Sequence, residues 1–229
     1  MTISTRRRVL AASLCLAASL GAGCNLISLP FFLFSPEPKK DAMLKRIASE
    51  DKEKEVKMVV ICYSGLETRP EFIQADRQLA ELLTKHLKDL FEYNKEKVKV
   101  VSPRKVEEYK SNHPDWHQNL EPAQIGKHFN ADYVAFLDMN SMALFEKGSV
   151  NSMYRGRADI TVTLVDVNKP DDYPDRKEFT QVFPGEAKGP IPVGDVTVNQ
   201  FRAMFLDSVA RRLAWYFTAH PTDKDFDLD

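Results

Sequence analysis

One short segment gathers side chains of metal-ligand type: His113-Pro114-Asp115-Trp116-His117 puts two imidazoles and a carboxylate within five residues. Such a set could hold one divalent ion, and an ion held that way would activate water for hydrolysis. Pro114 spoils regular helical spacing across the segment, and no third histidine lies nearby. A polar loop capped by Trp116 accounts for the same letters. The reading therefore assigns no metal and no cofactor, and keeps a metal-dependent hydrolase built on His113, Asp115 and His117 as the alternative.

Other chemistry is weaker still. There is no Gly-x-Ser-x-Gly elbow for a nucleophile. Gly148, Gly156, Gly185, Gly189 and Gly194 do not form a phosphate-cradling pattern. Glu107-Glu108 and Asp171-Asp172 read as solvated faces, and the end of the chain, residues 225–229, as an acidic tail. Of the three cysteines, Cys62 stands between Ile61 and Tyr63 in an apolar run and reads as a buried, inert thiol. The expectation is a protein without catalytic residues.

The elements that would position these residues follow from hydrophobic periodicity. Residues 56–63 form a valine-rich run expected of a strand covered on both faces. Pro70 opens a long amphipathic helix, with Phe72, Ala75, Leu79, Leu82, Leu83, Leu87, Leu90 and Phe91 at three and four spacing. A short strand at 97–101 leads to Ser102-Pro103, a helix start, and a further short helix covers 122–129. Residues 132–145 and 153–167 then make a long hairpin. In its second arm Tyr154, Gly156, Ala158, Ile160, Val162 and Leu164 alternate with Arg155, Arg157, Asp159, Thr161 and Thr163. A strand at 177–183, an open loop at 184–194 and a last helix from Thr197 or Asn199 complete the order. This is an α/β (α+β) fold, helices on one mixed sheet.

The start of the chain gives an address. Arg6-Arg7-Arg8 precedes an uncharged run, and Gly21-Ala22-Gly23 leads into Cys24, in the order of an export signal. That order resembles a bacterial lipoprotein signal peptide, which implies lipidation of Cys24 and cleavage before it, although Gly21 holds the place where leucine is usual. An uncleaved membrane anchor and a cleaved soluble product are the competing readings, and both the general secretion and the twin-arginine routes fit. The apolar, aromatic residues 26–34 suit a bilayer interface. Cleavage removes Arg6, Arg7 and Arg8 and takes the formal charge from −1 to about −4, which disfavours nucleic acid. The expected division is 1–23 signal peptide, 24–55 lipidated N-terminus and tether, 56–218 α/β domain and 219–229 acidic tail.

At the hairpin, Asn130-Ala131-Asp132-Tyr133-Val134, then Tyr154-Arg155-Gly156-Arg157-Ala158, then Leu164-Val165-Asp166-Val167 resembles the envelope lipoproteins that include penicillin-binding-protein activators and the curli secretion channel subunit. The whole chain also looks like uncharacterised lipoproteins of planctomycete-type bacteria. The first resemblance implies an α/β fold of this element order and a non-enzymatic, protein-binding role at the cell envelope, with no catalytic residues to carry over. The channel subunits raise a second idea, a hairpin that enters a membrane. The expected function is a lipid-anchored, periplasm-facing adaptor or activator with an unidentified protein partner. Its contact surface is placed on Arg155, Arg157 and Asp159 and on the loop 184–194, with the membrane engaged through Cys24.

Overall fold

The structure is a computed structural model that describes residues 38–222 apart from residues 52, 66–69, 119–120 and 170. Cys24 and the export segment lie outside the described residues. The chain divides into Met1–Pro38 and Lys39–Asp229, and the elements below belong to the second unit.

Among the described residues eight strands and four α-helices follow in order. They are β1 (Lys39–Lys40), β2 (Val56–Ser64), α1 (Ala75–Tyr93), β3 (Val98–Val100), α2 (Pro103–Asn112), α3 (Pro122–His128), β4 (Tyr133–Phe145), β5 (Met153–Asp166), β6 (Asp175–Phe183), β7 (Ile191–Pro192), α4 (Val198–Ala214) and β8 (His220–Pro221). The main sheet runs β3-β2-β4-β5-β6, with β7 added to the end of β5. β2 is parallel to β3 and β4, whereas β4, β5 and β6 are successively antiparallel. The α/β class and the mixed sheet are those expected from the sequence.

β2 is apolar almost throughout because both its faces are covered. Met58, Val60 and Cys62 join the large core beneath α1 and α4, while Val59 and Ile61 join a smaller one beneath α2 and α3. Past Phe136 and Val165 the arms of the hairpin are covered on one side only. Ala158, Ile160, Val162 and Leu164 lie in the α1/α4 core, so the apolar stripe of the hairpin is occupied within the domain. α4 begins on a complete capping box, in which the Thr197 hydroxyl accepts from the Gln200 amide and the Gln200 side chain accepts from that of Thr197.

Three local expectations change. Residues 70–72 form a separate 3₁₀ turn, and α1 starts only at Ala75 because Gln74 takes a left-handed backbone (φ 61°). The loop after β6 is not wholly open: Ile191 and Pro192 pair with Tyr154 and Met153. The stretch read as a tether is docked from Lys39 onward. Lys39 and Lys40 pair with Pro221 and His220, and the amides of Met43, Leu44 and Ile47 donate to the carbonyls of Trp215, Tyr216 and Phe217. Ile47 is only 1% exposed. The segment is therefore an integral layer over the end of α4.

Candidate functional site

The apolar layer beneath α2 and α3 reaches Phe136 of β4 and Val165 of β5 and stops. Beyond it the same sheet face turns polar, as the alternation in β5 requires. Arg155, Arg157 and Asp159 all lie on this face, pointing away from the α1/α4 core.

Their chemistry is set by residues across the hairpin. Three left-handed residues in the turn, Gly148 (φ 85°), Val150 (φ 51°) and Asn151 (φ 61°), let the chain reverse sharply, and the Glu146 amide donates to the Met153 carbonyl at 2.9 Å. Glu146 then faces both arginines. Its Oε1 accepts from Arg157 Nη2 at 3.0 Å, and its Oε2 lies 3.7 Å from Arg155 Nε. Asp159 accepts from Ser141 Oγ at 2.6 Å and from Thr180 Oγ1 at 3.2 Å. A register shift between Met139 and Ser141 marks a bulge at Asn140, whose side-chain amide donates to Thr161 Oγ1 at 2.9 Å. Thr161 in turn donates to Glu178 Oε2 at 2.9 Å, and Arg176 lies 3.6 Å from Glu178.

The result is a polar lattice spanning three strands, with its carboxylates already engaged. Asp138 shares the face; burial pushes its carboxyl above the usual range, the Arg176 charge pulls it down and Glu178 pushes it up. The alternation in β5 gave away Arg155, Arg157 and Asp159. Glu146 was missed in the sequence, although its place at the end of β4 would have paired it with them once the turn was counted.

The histidine segment is pulled apart. His113 closes α2, stacks on Tyr109 at 4.3 Å between ring centres and places Nδ1 2.9 Å from the Tyr109 carbonyl. His117 instead stacks on Tyr63 at 6.0 Å, with Trp116 edge-on to the same ring at 5.7 Å. Asp115 accepts from the Gln118 side chain at 3.1 Å. The turn at Pro114 sends the two imidazoles to different aromatic partners. Another imidazole, that of His128, lies 6.3 Å from the His113 ring. Among the described residues no group of three or more His, Cys, Asp or Glu is placed to hold a metal ion.

Cys62 is fully buried, and burial pushes its thiol up to about 12 against the opposing charge of Lys110. Lys110 Nζ donates to the Cys62 carbonyl at 2.9 Å and to Glu107 at 2.8 Å, so the lysine is occupied as a strut between β2 and α2. No helix among the described residues is long and apolar enough to cross a membrane.

No protein-family model matches the chain. No curated protein matches its sequence. Among solved structures, the chain is similar to the PelC dodecamer from Paraburkholderia phytofirmans at 10% identity and a TM-score of 0.41, covering 80% of this chain and 99% of that one. It is similar to lipoprotein GNA1162 from Neisseria meningitidis at 11% identity and a TM-score of 0.40, covering 69% and 98%. It is also similar to protein XCC0632 from Xanthomonas campestris at 11% identity and a TM-score of 0.42, covering 76% and 91%. Likenesses at this level transfer neither an assembly nor an activity to the present chain.

Proposed function

We propose that the chain is an exported, lipid-anchored protein of the cell envelope whose folded unit acts as a non-enzymatic adaptor for another protein. The observation that carries the reading is the polar sheet face of β4, β5 and β6, built around Arg155, Arg157 and Asp159 and extending beyond the apolar layer of α2 and α3. The export segment ending in Cys24 supports the address. The internal pairing of Glu146 with both arginines supports contact rather than catalysis, because a group held in an ion pair is positioned for recognition.

The test is site-specific photocrosslinking in intact cells of the source organism. A crosslinking residue in place of Arg157 or Thr163 is expected to trap one and the same envelope protein, while one in place of Lys169, in the turn after β5, traps none. Equal yields at all three positions, or no adduct from the sheet face, would sink the adaptor reading.

A further inference from the structure

The fold that parts His113 from His117 brings His113 beside a histidine of another helix. His113 is the C-cap of α2 and His128 the last residue of α3, and their ring centres lie 6.3 Å apart. Both side chains are exposed. Two imidazoles bound to one ion through nitrogen at about 2.0–2.1 Å have ring centres roughly 5–6 Å apart, so a small swing of one exposed ring closes this pair on an ion. Each histidine stands at the carbonyl end of its helix, where the partial negative charge favours a cation. Lys127, the neighbouring cation in the last turn of α3, is exposed and screened by solvent.

The hydrogen bonding of the rings supplies a second, independent sign. His113 Nδ1 lies 2.9 Å from the Tyr109 carbonyl, which can only accept, so Nδ1 carries the proton and Nε2 keeps its lone pair. A ring N–H donated to a backbone carbonyl is the arrangement that fixes the tautomer of metal-binding histidines. Among the described residues the His128 ring makes no hydrogen bond and is held by aromatic contacts, with Tyr109 at 4.7 Å and Phe129 at 4.8 Å. Tyr109 also stacks on His113 at 4.3 Å. Stacking occupies the face of the His113 ring, whereas the Nε2 lone pair lies in its plane. One tyrosine thus restrains both imidazoles, which lowers the entropy lost when an ion fixes them.

We infer that His113 and His128 together bind one divalent transition-metal ion. Among the described residues no carboxylate or thiolate joins them as a third ligand, so the protein supplies two nitrogens and water completes the coordination. Neutral imidazoles select late first-row ions, Cu²⁺ above Ni²⁺ and Zn²⁺, over Mg²⁺ and Ca²⁺, which take oxygen ligands. Asp115 and His117 take no part, because the turn at Pro114 directs them elsewhere. The site belongs to the α2/α3 layer and shares no residue with the lattice of Arg155, Arg157 and Asp159, so it stands or falls independently of the adaptor reading.

Calorimetric titration of the purified, metal-free full chain in detergent with Cu²⁺, in a buffer that does not bind copper, tests it. The expected result is saturable binding that is weakened about tenfold or more in His113→Ala and likewise in His128→Ala, and is unchanged in His117→Ala. Pulsed electron paramagnetic resonance of the one-to-one complex should count two imidazoles on the ion in the wild type and one in either variant. Both histidines are exposed, so the metal-free variants should melt with the wild type, which separates a lost site from a lost fold. No saturation below about 1 mM, a titration of His113→Ala or His128→Ala identical to that of the wild type, or a wild-type complex holding a single imidazole overturns the inference.

Discussion

Gly156 lies directly beneath the ring of Phe205: a Cβ built on the glycine would stand 2.4 Å from Phe205 Cδ2. The pair joins the two sides of the sheet, since Gly156 separates Arg155 from Arg157 on the polar face while Phe205 is among the fully buried side chains of α4. The close approach lets α4 settle onto β5. Gly156→Ala must therefore move the ring or the helix, and overpacking of this kind costs about 1–3 kcal/mol. Phe205→Leu, which opens the same space, is expected to recover part of the loss in the double variant. Denaturant melts of the four proteins check this, and strictly additive effects would show that the two side chains do not compete for one volume.

Two aspartates give opposite pH signatures. Burial pushes the Asp207 carboxyl up, but hydrogen bonds and charges from His86 (2.8 Å) and Arg211 (2.9 Å) outweigh it and leave the group below the usual range. Its stabilisation is present above the unfolded pKa, ~3.9, and is lost as pH falls through the lower folded value. Asp138 is raised, chiefly by burial. It favours the fold below its unfolded pKa, and that advantage is lost as pH rises through the folded value. Asp207→Asn is thus expected to lower the melting temperature at neutral pH, with the deficit closing in strong acid. Asp138→Asn should raise it at neutral pH, with the gain fading as acid protonates the native aspartate. Parallel curves for the two variants from acid to neutral pH would contradict both assignments.

The parts of this fold legible in the sequence are those where one residue's type answers to one local demand. The valine-rich run of β2 announced a strand covered on both faces, and the start of α4 was placed at Thr197 or Asn199, within two residues of the observed N-cap Thr197. The polar alternation of β5 announced an uncovered face. What escaped depends on partners distant in sequence. His113 and His117 look like a pair only along the chain, because the turn at Pro114 delivers them to Tyr109 and Tyr63. The docking of residues 39–47 is made mostly by backbone amides and carbonyls, which every sequence possesses.

The three cysteines make the anchor measurable. If export removes Cys15 and lipid occupies Cys24, the mature chain retains one free thiol, Cys62. That thiol is buried and pushed up to about 12, so it should resist a maleimide or a disulfide reagent at pH 8 in the native protein. Denaturant should release one reactive thiol per chain. Two or more would show that Cys24 carries no thioether. In the same cells Cys24→Ser is expected to shift the protein from the membrane to the soluble fraction, and retention at the membrane would point to an uncleaved helix instead.

Ile47 decides whether the segment before β2 is tether or structure. Its side chain is among the largest that are fully buried, and its amide donates to the Phe217 carbonyl at 3.3 Å. The Lys177 ammonium, on the edge strand β6, also donates to the Met43 carbonyl, so the segment bridges the end of α4 and the rim of the sheet. A tether would tolerate any substitution here. A docked layer would not: Ile47→Ala leaves a cavity against the C-terminal turn and should cost about 2–5 kcal/mol, as buried isoleucine truncations do. Met43, with 43% of its surface exposed, is the matched control, and Met43→Ala should cost far less. Chemical denaturation of the two variants separates the readings, because equal and small losses for both would return residues 39–47 to a tether and move the start of the folded unit back to Val56.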